Sequence, residues 1–465
     1  MIRIFRHYIS RIYVVIFLLE MAVFLSAFYL GGLLNHLPEI PASLVPSPGL
    51  IFPSLCYMAI MVASTTGMGL YQRAQHGGDA GLLLRVLSSF IMGSVAMGLG
   101  FYLLPFLFVG RGVFGYALLV ALTLVLITRF VFLRRVDRAE LQRRVVVMGA
   151  GYNANMIHDF ENRTNNPGFK VAGYIQMANE TCRILTARTR DPGQPLSALA
   201  LAEDIEEIVV ALDDRRGGLL PVDELLDCKM SGIAVVDLLT FFEREAGLLL
   251  IDALYPGWLV FSDGFQYSGL QQIAKRTFDI LASVLLLAVA WPVMLLACLA
   301  IQLESGWRAP ILYRQTRVGR NGVWFQVIKF RSMRTDAEKH GAQWASKNDD
   351  RITLVGRFIR KTRIDELPQL FNVFKGDMSF VGPRPERPEF VDRFCETIPY
   401  YAERHRVKPG ITGWAQLCYP YGSGYQDAIG KLQYDLYYVK NYSLFLDLLI
   451  MLQTVEVVLW GKGAR

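Results

Sequence analysis

Cysteine is scarce: six in 465 residues, at positions 56, 182, 228, 298, 395 and 418, with no C-x-x-C pair among them. That excludes a zinc module and a disulfide framework, and it is the usage of a reducing compartment. The six histidines are equally scattered. There is no RNA- or DNA-binding motif, no internal repeat and no low-complexity tract. No small-x-small cleavage site follows the first apolar run, which is also too long for the core of a signal peptide. Apolar residues are abundant instead. They make up 53% of the chain, give a mean hydropathy of +0.31 and fall in long blocks, the mark of an integral membrane protein. The net charge is +7. Basic residues collect at the ends of the apolar blocks, which suits anionic lipid headgroups and phosphorylated substrates better than nucleic acid.

Four blocks near the start, Ile12–Leu34, Ile51–Leu70, Val86–Phe108 and Val113–Phe132, are each close to the ~20 residues a helical span needs. A proline-rich loop, 36–50, separates the first two. Arg3, Arg6 and Arg11 precede the first block, Arg73 and Arg85 lie between the second and third, and Arg134, Arg135 and Arg138 follow the fourth. The positive-inside rule then puts both ends of the bundle in the cytoplasm. Glu20 and Arg129 sit inside apolar blocks. They mark either a functional site or, as is commoner, side chains that face other helices or snorkel.

Residues 139–255 read as soluble α/β. Strands are expected at Val145–Met148, Lys170–Ile175, Glu207–Leu212 and Ile233–Leu238, with helices through Ile157, at Leu196–Glu203 and at Pro221–Met230. Alternation of this kind predicts a parallel sheet. Gly149-Ala150-Gly151-Tyr152-Asn153-Ala154 matches the G-x-G-x-x-A dinucleotide fingerprint after a strand. However, Gln176 stands where an acidic residue should hold a ribose, and no Tyr-x-x-x-Lys follows. The glycines Gly149 and Gly151 therefore either bind a nucleotide or serve a purely structural Rossmann-like domain.

Lys275–Asp279 leads into another apolar block, Ile280–Leu303, with Pro292 in its middle. A proline there kinks or breaks a helix. The polar, basic chain that follows suggests a helix–break–helix that enters and leaves the membrane by one face. Strands are expected at Tyr313–Val318 and Val323–Phe330. The apolar stretch Ser443–Trp460, interrupted by Asp447, Gln453 and Glu456, predicts a helix lying on the membrane or packed on the domain. Between these lies a stretch rich in charge. Arg357, Arg360, Lys361 and Arg363 precede the adjacent carboxylates Asp365 and Glu366, and Pro368 follows. Proline suits a first helical turn, so a helix is expected from near Asp365 to Gly376. A carboxylate at its N-terminus is a nucleophile, a metal ligand or only an N-cap, and the basic residues can hold phosphate.

The ordered stretches Lys275–Asp279, Tyr313–Gly319, Lys329–Met333, Arg351–Gly356, Arg363–Gln369, Gly376–Glu386 and Lys408–Trp414 resemble the bacterial sugar transferases, the monotopic polyprenyl-phosphate phosphoglycosyl transferases. With four spans and a Rossmann-like middle, the chain is similar to the large members that begin O-antigen and exopolysaccharide synthesis. Residues 1–11 resemble the exosortase-associated exopolysaccharide type. The resemblance implies a four-helix transmembrane bundle over 1–138, a Rossmann-like parallel-sheet domain over 139–255 and a mixed α/β catalytic domain over 256–465, with a re-entrant helix at about 280–303. It implies transfer of a sugar 1-phosphate from a UDP-sugar to polyprenyl (undecaprenyl) phosphate with release of UMP, at the cytoplasmic face of the bacterial inner membrane and among its lipids.

It also implies Mg2+ and a covalent phosphosugar intermediate. On this chain Asp365 carries over as nucleophile and Glu366 as the residue that holds or orients Mg2+. Lys329, Arg331, Arg363 and Arg384 are the candidate phosphate contacts. Family members often have Ser-Pro at the helix break, whereas this chain has Trp291-Pro292. Two rival readings are a membrane-bound NAD-dependent UDP-sugar dehydratase and a non-enzymatic scaffold of a polysaccharide assembly complex. The sequence does not name the sugar or the oligomeric state; a homodimer is consistent with it.

Overall fold

The structure, a computed structural model, describes residues 2–4, 7–9, 11–35, 51–71, 78–135, 142–164, 168–177, 181–184, 188–189, 195–214, 220–265, 267–307, 309–337, 349–419, 422 and 424–459. The expected loop 36–50, Arg6, Arg73, Arg138 and Trp460 lie outside these residues. The chain divides into two compact units at Tyr255/Pro256, with the short stretch 4–7 grouped with the second.

The short strands β1 (Ile2–Ile4) and β2 (His7–Ile9) straddle that stretch, and the helices of the first unit follow: α1 (Arg11–Asn35), α2 (Ile51–Gly67), α3 (Gly78–Leu103) and α4 (Arg111–Arg135). Helices α1, α3 and α4 are long and apolar enough to cross a membrane. The second expected span is shorter than predicted. Helix α2 has 17 residues, ~26 Å at 1.5 Å each. It ends where Gly69 turns left-handed (φ 67°), with Leu70 N–H donating back to the Thr65 carbonyl at 3.2 Å. A glycine cap therefore stops the helix while the sequence is still apolar.

Helices α1 and α4 pack closely, since a Cβ on Gly31 would lie 2.7 Å from backbone atoms of Val113 and Ala117. Along that contact Arg129 of α4 pairs with Glu20 of α1 at 2.7 Å, with the two side chains 5% and 0% exposed. Arg129 also donates to the Leu70 carbonyl at 2.9 Å, at the capped end of α2, and Tyr71 donates to Glu20. The two charges thus face helices, and each is neutralised by the other.

Five strands form a parallel sheet in the order β5-β4-β3-β6-β7: β3 (Arg143–Met148), β4 (Phe169–Gln176), β5 (Arg188–Thr189), β6 (Glu207–Val210) and β7 (Ala234–Asp237). Helices α5 (Tyr152–Arg163), α6 (Leu196–Ala202), α7 (Val222–Met230) and α8 (Leu238–Ala246) occur among them. Val146, Met148, Ile208 and Val210 pack against Leu196 and Leu225 in one core. The strand order reverses between β3 and β6, and in parallel sheets a crevice opens beyond the strand ends at such a point.

The second unit starts with α9 (Pro256–Phe261) and α10 (Gly269–Glu304). The 36 residues of α10 span ~54 Å, and a Ser268–Gln271 capping box fixes the start. Only 11% of its most apolar window is buried. Leu281, Leu285, Val289 and Leu296 are exposed along it. Among the described residues, the helices long and apolar enough to cross a membrane are α1, α3, α4 and α10, and the chain reads as a multi-pass membrane protein. No loop separates the halves of α10 at Pro292; the helix continues on both sides, and proline removes only the bond its own N–H would make.

An antiparallel hairpin follows, β8 (Leu312–Val318) with β9 (Trp324–Phe330), closed by a 3-10 turn at Arg320–Gly322. Then come α11 (Leu354–Lys361), α12 (Gln369–Lys375), β10 (Ser379–Val381), α13 (Pro388–Thr397), β11 (Gly410–Thr412), α14 (Trp414–Cys418), α15 (Tyr425–Lys440) and α16 (Leu444–Leu459). Strands β10 and β11 pair in parallel. Helix α16 packs on the domain: Leu446 and Ile450 are buried, and Asp447 reaches Lys275 of α10 at 2.6 Å.

Candidate active site

The charged stretch folds as a helix, a reversal and a tight turn. Thr353 caps α11 by accepting from Gly356 N–H at 2.9 Å. Gly356 is required there, because a Cβ would meet the Ser332 carbonyl oxygen at 2.0 Å. Arg363 then adopts φ 59°, which ends the helical run and starts a 3-10 turn over Ile364–Glu366. The expected helix from Asp365 is corrected here: α12 begins at Gln369. The reason is Pro368. It has no N–H to give the Ile364 carbonyl, which instead accepts from Leu367 at 3.1 Å in a tighter i→i+3 bond. The other expected end holds, with Gly376 left-handed at φ 101°.

A small apolar cluster aims the charged groups. Ala297 and Ile301 of α10, Phe330 of β9 and Ile359 of α11 are buried together, with Ile364 packed against them. Phe330 follows Lys329, and Ile364 precedes Asp365. Burying the two neighbours in one core brings Lys329 to the carboxylate pair.

Glu366 Oε1 accepts from Lys329 Nζ at 3.4 Å, Arg363 Nη1 at 3.5 Å and Arg384 Nη2 at 3.3 Å. These contacts are longer than the 2.7–2.9 Å typical of closed charge-assisted bonds, so the cations still have room to tighten on an added anion. Burial pushes the Glu366 carboxyl up, but Lys329, Arg384 and Arg363 outweigh it and hold the group at about 2. Asp365 shifts the other way, to about 6: burial raises it, the Glu366 charge adds to that, and Lys329, Arg363 and Arg360 only partly offset the rise. Asp365 is 8% exposed, and its Oδ1 is buried with no hydrogen-bond donor. Adjacent carboxylates with separated titrations are an arrangement suited to distinct roles.

Arg384 is positioned from behind. Its carbonyl accepts from Arg404 at 3.0 Å, and Arg404 is buried against Asp435 at 2.7 Å. Asn372 ties α12 to β9 through Ile328 N–H at 3.0 Å and the Gln326 carbonyl at 2.7 Å. Hard carboxylate oxygens suit Mg2+, which takes one or two carboxylates plus substrate phosphates rather than an all-protein cage. The donor-free Asp365 Oδ1 beside Glu366 fits that mode.

The bacterial sugar transferase family model matches residues 270–461, the stretch that holds every one of these groups. The chain is 43% identical over 194 residues to a UDP-glucose:undecaprenyl-phosphate glucose-1-phosphate transferase of Caulobacter vibrioides, which covers 41% of this chain and 72% of that one. The chain belongs to the bacterial sugar transferase family. A UDP-N-acetylgalactosamine-undecaprenyl-phosphate N-acetylgalactosaminephosphotransferase of Aeromonas hydrophila is 44% identical over 241 residues, 52% of this chain and 56% of the relative. An uncharacterized sugar transferase of Haemophilus influenzae is 30% identical over 351 residues, 69% of this chain and 70% of the relative. The chain spans about half the length, or less, of several of these curated relatives.

Within the family stretch, Arg331 is not brought to the carboxylates: its guanidinium donates to the Pro310 carbonyl at 2.6 Å, beyond the end of β9. A basic residue outside the candidate set acts on Lys329. Arg317 donates to the Pro385 carbonyl at 3.1 Å, pairs with Glu386 at 3.5 Å, and its charge acts on Lys329. The signal was strand alternation: Tyr313, Gln315 and Arg317 share a face of β8, and Tyr313 lies opposite Lys329.

In the first unit, Gly149 has φ 123° and Gly151 is the N-cap of α5. The amides a pyrophosphate would use are occupied: Tyr152 and Asn153 N–H each donate to the Asp213 carboxylate at 2.8 Å. A Cβ on Gly151 would meet that carboxylate at 2.1 Å.

Proposed function

We propose that the chain is a phosphoglycosyl transferase that moves a sugar 1-phosphate from a UDP-sugar to undecaprenyl phosphate and releases UMP, the first membrane step of exopolysaccharide or O-antigen synthesis. The observation that carries this reading is the buried, donor-free Asp365 Oδ1 beside a Glu366 surrounded by three cations. Asp365 is the nucleophile. Its carboxylate oxygen attacks the sugar-bearing phosphorus, the bond from that phosphorus to the bridging oxygen breaks, and UMP leaves with the electron pair. The resulting acyl phosphate is attacked at phosphorus by an oxygen of the lipid phosphate, which returns the carboxylate. Lys329, Arg363 and Arg384 neutralise the pyrophosphate as it binds, the largest requirement of phosphoryl transfer. Glu366 would hold Mg2+, which would supply further charge neutralisation at the bound phosphates.

Helix α10 is read as re-entrant, bent at Pro292, with the catalytic unit on the cytoplasmic face, so that the acyl phosphate meets a lipid substrate at headgroup depth. The parallel-sheet domain is read as Rossmann-like and structural, because Asp213 fills the helix N-terminus a nucleotide would need. That arrangement also counts against the dehydratase reading.

The test is UMP release from a panel of UDP-sugars with undecaprenyl phosphate, paired with mass spectrometry of the protein after UDP-sugar alone. A sugar-phosphate adduct on the peptide holding Asp365 is expected. Unchanged turnover in a folded Asp365→Asn protein overturns the assignment. Cysteines placed at Leu270 and Leu303 in a cysteine-free background should label from the same side of the membrane; opposite sides would rule out the re-entrant reading.

A further inference from the structure

The second unit contains a cavity of about 170 Å³ that shares no lining residue with the cluster around Glu366. Water occupies ~30 Å³ per molecule in the liquid, so there is room for a group the size of a phosphate or a diphosphate. Lys275, Arg276, Arg320, Arg406 and Lys408 line it, with Asp279 as the acidic member of its described wall. Three of these charges are satisfied within the protein, Arg406 by Glu403 at 2.8 Å. Lys275 pairs with Asp447 at 2.6 Å, and Asp279 accepts from Ser379 Oγ at 3.1 Å and Phe380 N–H at 3.2 Å.

Among the described residues, Arg276, Arg320 and Lys408 have no ion pair. Arg276 donates to the carbonyls of Val373 at 2.7 Å and Phe374 at 2.6 Å, at the end of α12, which orients the guanidinium but leaves its charge. Lys408 is half-buried, and among the described residues its ammonium has no hydrogen bond or ion pair. Lys408 and Arg276 flank one small space: a Cβ on Gly376 would lie 3.4 Å from Lys408 Nζ and 3.3 Å from Arg276 Cζ. Gly376 also has φ 101°, so other side chains replace it there only with strain. Burial lowers the Lys408 ammonium, and Arg276 and Arg320 press it further in that direction against Asp279 and Asp377. Cations that outnumber the carboxylates of a cleft raise the local concentration of anions there.

We propose that this cavity is a second anion site, in which Lys408 and Arg320 donate to a phosphate monoester or diphosphate oxyanion held against the fixed Arg276 guanidinium. The site stands independently of the chemistry at Asp365. Its phosphate comes either from a soluble molecule or from the headgroup of an anionic lipid.

The experiment uses the full chain in discs of neutral phosphatidylcholine. An Arg384→Gln background keeps pyrophosphate at the Glu366 cluster from masking the result. Inorganic pyrophosphate is titrated by calorimetry, and thermal unfolding is followed in parallel. Saturable binding and a rise in melting temperature are expected. Lys408→Gln and Arg320→Gln should each weaken binding about tenfold, the size of one lost charge-assisted bond, while Lys408→Arg retains it. Without pyrophosphate, Lys408→Gln should melt no lower than its parent, because the lost charge had no partner. In discs that include phosphatidylglycerol, a weaker apparent affinity for pyrophosphate that depends on Lys408 assigns the site to a lipid headgroup, and an unchanged affinity assigns it to a soluble phosphate. Equal pyrophosphate binding in the parent, Lys408→Gln and Arg320→Gln, or no binding of either anion, overturns the proposal.

Discussion

Asp213 and Asp365 are two carboxylates beside two phosphate-like motifs, and the structure treats them in opposite ways. Asp213 lies next to a recognisable glycine-rich fingerprint, yet it gives its carboxylate to two backbone amides at 2.8 Å. It thereby neutralises the very helix N-terminus that an anionic ligand would need. Asp365 lies in an irregular turn, is nearly buried and keeps one oxygen without a donor. An unmet buried acceptor costs about 1–3 kcal/mol, a cost that is tolerated where the atom has chemistry to perform. Hydrogen-bond satisfaction thus separates two sites that the glycine-rich motif and the carboxylate pair both mark in the sequence.

The largest test of the contrast is catalytic. Asp365→Asn should lower UMP release by at least about a thousandfold, as loss of a nucleophile does, while Asp213→Asn leaves turnover per folded molecule nearly unchanged. Similar losses in both variants would break the distinction. Next come the cations. Arg384→Gln and Lys329→Gln should each cost about a hundredfold in kcat/KM, on the scale of one lost electrostatic donor. Arg331→Gln should lose much less, because that guanidinium is turned to the Pro310 carbonyl.

The pH profile gives the third test. Protonation of Asp365 should lower the rate as pH falls through about 6, approaching tenfold per pH unit below that value, while Glu366 stays ionised because its cations hold it at about 2. In active Glu366→Gln the limb should persist but move to lower pH, because the Glu366 charge that helps raise Asp365 is gone; loss of the limb, or a shift to higher pH, contradicts the assignment.

The smallest effect concerns stability. The Asp365 carboxyl is pushed up to about 6 in the folded chain from its ordinary 3.8, so burial favours its protonated form. Its stabilising contribution is complete below about 3.8 and is lost as pH rises through about 6. At pH 8 Asp365→Asn should therefore raise folding stability, on the order of 1 kcal/mol. Asp213→Ala should lower it by about 1 kcal/mol through loss of a helix cap. Thermal unfolding of the two variants should shift in opposite directions, and shifts of the same sign would remove the contrast.

Much of the architecture is legible in local pattern. Apolar blocks mark α1, α3, α4 and α10, and strand–helix alternation marks four of the five strands of the parallel sheet within two residues, while β5 and α8 escape it and α5 runs six residues past the expected Ile157. Adjacent Asp365 and Glu366 and the arginine between two prolines single out the reacting region from spacing alone. These features depend on backbone period, proline geometry and burial, which neighbouring residues encode by themselves. What stayed hidden depends on partners far along the chain. Pro368 delays α12 only because of how the preceding turn closes. Arg331 and Arg317 exchange importance because one lies past the end of β9 and the other on a strand face shared with Lys329's neighbour. Glu20 finds Arg129 across 109 positions, and Asp213 reaches the amide of Tyr152 across 61. The cavity at Lys408 gathers residues from Tyr267 to Tyr442. The sequence by itself determined the elements, the family stretch and the reacting pair. Only the tertiary structure decided which charges are satisfied and which remain open, because a charge in water needs no partner while a buried one is defined by whichever residues packing brings within about 3 Å of it.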